Sequence, residues 1–393
     1  MPNATPNPRL LLIKLGAIGD VIMAVPAAYA MHQAGYEVDW VCGQAVAPIL
    51  QLYPWIDVIA VDETKLLHSG KLASLRALLS LWRTLAGRRY DLCATLYYDS
   101  RYKLLALPVR ARRKLILSHT NRATRLLPGR HHTDEYARIL AGRPNGEIDG
   151  ESPTQLPPVP VPGLPPNPLP RTSNKPRIVL VPAAARNLLR DDALRRWPIE
   201  SYVTLASALL QSGHEVILAG GPDDQWASPA FTHLAVADLI GKHSLPETLG
   251  LLNSAAVTVT HDTGPLHLAG LTQTAIVAIF GPTDPRGRLP QRANTVALWG
   301  GEGFACRPCY DGRDYAPCLN NGCIQQITPT MVLGEIQTLL TALRTNRPQP
   351  PRIRTPKHTP PQSTESFLSA GSVLKGTGFS PSIEDKKGRG FSR

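Results

Sequence analysis

Short apolar runs recur along the chain, each followed by a turn and then by apolar residues at helical spacing. The first is "RLLLIK" (Arg9 to Lys14), followed by "LGAIGD" and a helical pattern from Val21 to Ala34, which reads as strand, glycine turn and helix. "YEVDWVCG" (Tyr36 to Gly43) repeats the strand signal, a helix cue follows at Ala45 to Leu52, and "IDVIAVD" (Ile56 to Asp62) supplies another strand. "DLCATLYY" (Asp91 to Tyr98) and "RRKLILS" (Arg112 to Ser118) extend the pattern. Strands alternating with helices predict a parallel sheet joined by right-handed crossovers.

Between Glu151 and Pro176 the segment "ESPTQLPPVPVPGLPPNPLPRTSNKP" forms neither helix nor inner strand, because proline lacks the amide donor and fixes φ. The alternation restarts with "RIVLVPA" (Arg177 to Ala183), a helix from Ile199 to Ser212, "HEVILAGG" (His214 to Gly221), "DLIG", "AAVTVTHD" (Ala255 to Asp262) and "AIVAIFGP" (Ala275 to Pro282). A helix at Pro329 to Arg344 closes the pattern. The expected organisation is a doubly wound α/β domain at 1–150, a proline-rich linker at 151–176, a second doubly wound domain at 177–343 and a disordered tail at 344–393.

Composition fits two globular units with extra linker: 393 residues, 43% hydrophobic, 18% charged, and 38 prolines. The formal charge of +12 favours anionic partners, but ten Lys/Arg against three acids between Arg344 and Arg393 put +7 of it in the tail, which reads as solvated. No apolar run of about 18 residues and no secretory leader pattern is present, so a cytoplasmic protein is expected. Six cysteines, four of them bunched, argue against a disulfide framework.

Two glycine turns carry the candidate chemistry. Gly16-Ala-Ile-Gly19-Asp20 has G-x-x-G spacing with an acid directly after it, which disfavours the dinucleotide fingerprint and an NAD-dependent oxidoreductase. Asp20 is either a helix N-cap or a catalytic carboxylate. The second turn, His261-Asp262-Thr263-Gly264-Pro265-Leu266-His267, follows a strand and opens a helix, where outward N–H groups suit a diphosphate. His267 reads equally as a hydrogen-bonded core histidine. Cys306, Cys309, Cys318 and Cys323, spaced C-x2-C-x8-C-x4-C, read by default as free or locally paired thiols, with structural zinc as the alternative. The basic stretch Pro108 to His132 is either a solvated face or an anion-binding surface, and Arg110, Arg112, Arg113 and Lys114 are its candidates. It lacks the interleaved aromatics of a nucleic-acid platform.

"LLLIKLGAIGDVIMAVPAAYAM", "LRRWP", "LAGGPDD", "DLIGKHSLPETLGLLNSAAVTVTHDTGPLHLAG" and "FGPTDP" together resemble the ordered motifs of glycosyltransferase family 9, the ADP-heptose:lipopolysaccharide heptosyltransferases. The resemblance implies the GT-B architecture: two Rossmann-like domains facing across a cleft, with the last helix packed back across the first domain. It implies an inverting transfer of heptose from ADP-heptose to a lipopolysaccharide-core acceptor. Asp20 would be the general base, Arg195 the cation on the donor phosphates, and Asp262, Thr263, Gly264 and His267 the turn on the diphosphate and sugar. Asp223 would contact the ribose, whereas "PAAAR" (Pro182 to Arg186) lacks the hydroxyl usual in that loop. The nucleotide sugar is a substrate, no metal or other cofactor is implied, and contact with the inner membrane surface would be transient. A relative using another nucleotide sugar or acceptor, or a non-catalytic nucleotide-binding protein of the same fold, are the alternatives.

Overall fold

The computed structural model describes residues 7–356 except 68, 100, 119, 122–123, 128, 143–155, 172, 186–190, 311–313 and 319. Five parallel strands form the first sheet: β1 (Arg9–Ile13), β2 (Glu37–Gly43), β3 (Ile56–Val61), β4 (Arg89–Thr95) and β5 (Arg110–Ile116), in the order β3-β2-β1-β4-β5. The second sheet contains β6 (Arg177–Leu180), β7 (Glu215–Leu218), β8 (Ala237–Asp238), β9 (Val257–His261), β10 (Ala275–Phe280), β11 (Thr295–Trp299) and β12 (Arg352–Arg354). Its order is β12-β11-β10-β9-β6-β7-β8, again parallel. Both central strands are apolar throughout because helices cover both faces; Leu10 to Ile13 and Ala275 to Phe280 are wholly buried. This is the two-Rossmann GT-B architecture. Among the described residues no helix is long and apolar enough to cross a membrane.

Two expectations need correction, and the proline-rich linker gains detail: its described part is bonded to both halves. Tyr53 Oη donates to Val159 O at 2.9 Å, Leu156 N donates to Asp134 Oδ1 at 2.9 Å, and Val161 is buried. On the other side Arg177 Nη1 donates to Leu169 O at 2.9 Å, and a Cβ added at Gly250 would stand 2.4 Å from Pro166 O. Prolines leave their carbonyls unpaired, and neighbouring side chains satisfy them.

The last helix, Pro329–Arg344, does not lie back across the first half. Its apolar stripe, Val332, Ile336 and Leu339, is buried with Trp197, Leu205 and Leu209 of the second half. The tail also begins later than residue 344. β12 pairs with β11, and Arg352 and Arg354 bond the nearly buried Glu335 of that helix at 2.7 and 3.0 Å. Two of the basic residues that suggested a solvated tail, Arg352 and Arg354, are here counter-ions to a buried acid. The rest of the expected tail, 357–393, lies outside the described residues.

Ending the chain after Leu343 removes β12 and both partners of Glu335, whereas ending it after Pro356 keeps them. The shorter form is expected to lose about 1–3 kcal/mol, the usual cost of losing charge-assisted bonds, and to melt several degrees lower. Calorimetric scans that superimpose for both truncations would show that the edge strand contributes nothing.

Candidate active site

The site forms where the C-terminal ends of β1 and β9 meet. Lys14 continues the apolar run of β1 and is 1% exposed, an unusual place for an ammonium unless it is paired. Its Nζ donates to Asp20 Oδ2 at 3.0 Å and lies 4.5 Å from the centre of the Tyr97 ring. Asp20 is the third residue of the helix Ile18–Gln33; Ala17 occupies the N-cap position, so the capping alternative does not hold. Burial pushes the Asp20 carboxyl up, but Lys14 above all, with His132 and Arg288, brings it down to about 2. At neutral pH it is a carboxylate.

β9 ends in His261, which is structural. Its ring bonds Tyr202 Oη at 3.1 Å and the carbonyl of Ala183. Asp262 follows, 2% exposed, with Arg195 Nη1 at 3.4 Å and Arg288 Nε at 3.7 Å from its Oδ2. That oxygen accepts no hydrogen bond. Burial raises the Asp262 pKa, and the two guanidiniums outweigh it, so the net shift is downward.

Thr263 is the N-cap residue of the helix Gly264–Gly270 and turns its hydroxyl back to His261 O at 3.2 Å. Arg195 ends the short turn Ala193–Arg195 and is held on several sides. Its Nε donates to Tyr315 Oη at 2.5 Å, Asp192 stands 3.5 Å away, and the guanidinium lies over the Tyr310 and Tyr315 rings at 5.3 and 5.8 Å.

The two glycine turns touch each other. A Cβ on Gly19 would stand 2.4 Å from Cδ2 of His267, and one on Gly264 would stand 3.3 Å from Ile18 Cβ. Gly19 is therefore a position where the halves approach too closely for a side chain. His267 is buried and its pKa falls to about 4 by desolvation, so the ring is neutral near pH 7. From the first half, His131 joins its Nε2 to Leu289 O at 3.1 Å, and a Cβ on Gly287 would meet the His132 ring at 3.8 Å.

Other expected residues fall outside this constellation. Asp223 is exposed, and its neighbour Asp224 is the buried one, accepting from Gly221 N at 2.7 Å and Ala184 N at 2.8 Å. Arg110, Arg112, Arg113 and Lys114 lie along edge strand β5, where Ile116, not these four, is level with Thr95 and Ile13 at the site end. Arg112 pairs with Asp91 at 3.2 Å at the opposite end, and Lys114 Nζ donates to Ala106 O at 3.0 Å. The register therefore separates Arg110 and Arg112 from the cleft. Arg186 lies outside the described residues, and Ala184 and Ala185 before it have φ of 64° and 61°.

The four clustered cysteines are free thiols, with Cys306 and Cys318 exposed. Among the described residues no group of His, Cys, Asp or Glu is arranged to hold a metal ion. Their segment instead delivers Tyr310 and Tyr315 to Arg195. Sequence reasoning missed Lys14, His132, Arg288 and these two tyrosines. A lysine ending a buried apolar strand was the one signal available in advance.

The profile of glycosyltransferase family 9 (heptosyltransferase) matches residues 151–319. Those residues match glycosyltransferase family 9. The chain is 25% identical to a lipopolysaccharide heptosyltransferase 3 of Escherichia coli, over 72% of this chain and 85% of that one. It is 22% identical to a lipopolysaccharide core heptosyltransferase of Haemophilus influenzae, over 74% and 84%. A lipooligosaccharide heptosyltransferase 2 of the same species is 30% identical over 37% of this chain, and the match spans 43% of that relative. The fold is shared with a solved family 9 protein of Veillonella parvula, TM-score 0.64 at 20% identity over 86% of this chain and 99% of that one. It is shared too with the E. coli ADP-heptose lipopolysaccharide heptosyltransferase II, TM-score 0.62 at 19% identity over the same shares.

Two outcomes follow. Gly19→Ala drives a methyl group into the buried His267 ring and should cost about 1–3 kcal/mol, as overpacking does; His267→Ala in the same chain should return most of it. Failure of the second change to restore the melting temperature would remove the close approach as the cause. The second outcome concerns pH. Burial lowers His131, His261 and His267 to about 4 and His132 to about 3. Below an unfolded pKa of about 6.5 the unfolded chain binds protons that the folded chain refuses. Stability should therefore fall as pH drops from about 6.5 towards 4 and go on falling below, where His132 and the depressed carboxyl of Asp20 take over, and a melting temperature flat between pH 7 and 4.5 would contradict this.

Proposed function

We propose that the protein transfers heptose from ADP-heptose to a lipopolysaccharide-core acceptor, with inversion at the anomeric carbon. The observation that carries this reading is the juxtaposition of an ionised Asp20 on the first half with Arg195 and Asp262 on the second, brought together by the Gly19–His267 contact. The names of the relatives, all lipopolysaccharide or lipooligosaccharide heptosyltransferases, support the donor and acceptor.

In this reading the acceptor hydroxyl oxygen attacks the anomeric carbon while the bond from that carbon to the diphosphate oxygen breaks. The electron pair leaves on the diphosphate, and Asp20 takes the hydroxyl proton. A carboxylate with a low pKa suits a late transfer, when the attacking oxygen is already bonded to carbon and strongly acidic. Lys14 keeps Asp20 ionised and aimed. Arg195, stacked on two tyrosines, presents a preorganised charge to the leaving diphosphate, and preorganisation spares the reorganisation that water would require. His267, neutral and against Gly19, can bond a sugar hydroxyl or phosphate oxygen without adding charge. No metal ion enters this scheme. Contact with the inner membrane surface would be peripheral, made where the lipid acceptor is presented.

Asp20→Asn tests the base. Turnover of ADP-heptose with a core acceptor, followed by mass spectrometry of the product, should fall about 10²–10⁴-fold with ADP affinity near wild type. Wild-type turnover by the Asn variant would mean that another group accepts the proton. No transfer of heptose by the wild-type enzyme, with transfer from another nucleotide sugar, would reassign the donor.

A further inference from the structure

Arg288 follows the short turn Pro285–Gly287, which is capped by Asp284 accepting from Arg286 N at 2.9 Å. The backbone around it is fixed twice. Leu289 N donates to Pro285 O at 2.8 Å within the turn, and Leu289 O meets His131 Nε2 across the interface. Its side chain is 13% exposed and lies over the Tyr310 ring at 5.3 Å. Among the described residues its ion-pair partner is Asp262, at 3.7 Å, longer than a hydrogen bond. A guanidinium carries five donors, and one so enclosed needs acceptors from somewhere.

The neighbouring charges are better matched. Lys14 is bonded to Asp20, and Arg195 has Tyr315, Asp192 and Asp262. Arg288 shares Asp262 with Arg195, and the shared Oδ2 is itself without a hydrogen bond. Two arginines thus flank one buried carboxylate and share the Tyr310 ring, and such a pair can bind an anion with several oxygens. Arg288 also lies near enough to Asp20 to help hold its carboxyl down.

We propose that Arg288 is a second cation on the leaving diphosphate and holds the phosphoryl group next to the sugar, with Tyr310 fixing its plane. This rests on the glycosyl-transfer reading above. The bond that breaks releases its electron pair onto an oxygen of that phosphoryl group, so the charge of Arg288 counts most as the bond lengthens.

Calorimetric titration of wild type, Arg288→Ala, Arg288→Lys and Arg288→Gln with ADP and with AMP tests this. Arg288→Ala should weaken ADP by roughly 10–100-fold, the worth of one charge-assisted contact, and AMP by less than about twofold. Arg288→Lys should recover part of the ADP loss and Arg288→Gln, which keeps much of the bulk, should not. The same order should appear in kcat. Wild-type ADP affinity in Arg288→Ala, or equal losses for ADP and AMP, would overturn the assignment. If Arg288→Ala does not fold by its melting curve, the Lys and Gln pair decides, since equal affinities there would sink the charge argument. A wild-type enzyme that binds none of ADP, UDP and GDP would instead remove the nucleotide-donor reading, and the Arg288 proposal with it.

Discussion

The site depends on one steric permission: the absence of a side chain at Gly19. Helix Ile18–Gln33 can approach helix Gly264–Gly270 only because the His267 ring occupies the space that a Cβ would need. That contact fixes the separation between the C-terminal ends of the two sheets. Every electrostatic relation across the interface inherits it, because Coulomb energy in a partly dry site changes steeply with distance. Asp20, Arg288 and Asp262 form a single electrostatic unit only in this packing.

Desolvation then sorts the ionisable groups into two kinds. The histidines have no acid bonded to them and lose their protons, with His131, His261 and His267 near 4. The acids have cations beside them and keep their charge, as Asp20 does with Lys14 and Asp262 with Arg195 and Arg288. A site of neutral rings and paired ions can receive an anionic donor without first shedding bound protons. The cysteine-bearing segment contributes to this arrangement through its tyrosines, which hold the guanidinium faces.

Much of the architecture was legible because inner strands of a parallel sheet are continuous apolar runs, and β1 and β10 stand out as such, with β9 marked by its valines. Asp20 and Asp262 were legible as acids in the turns that follow β1 and β9, whereas Arg195 was reached only through the resemblance of "LRRWP" to a family motif. Arg288 was not legible, because its importance comes from a turn that reaches the other half, a long-range relation with no local signature. The same holds for β12, whose Arg-Ile-Arg reads as tail until Glu335 is placed beside it. Asp223 and Asp224 show the limit from the other side: adjacent acids look alike in a sequence, and only the inward-facing one caps the Gly220–Gly221 turn. For Arg110 to Lys114, charge on an edge strand says nothing about which end of the strand meets a ligand, and only the register places Arg110 and Arg112 at the far end.

The bonded proline segment has a mechanical consequence. A loose tether would let the two halves swing through any angle, whereas this one is fastened to Tyr53 and Asp134 on one side and to Arg177 and the Gly250 surface on the other. Wide rotation would strip those fastenings one after another. Motion that keeps them is a slight twist about the strap itself, so the prolines act as a stiff hinge plate shared by the two halves rather than as slack between them.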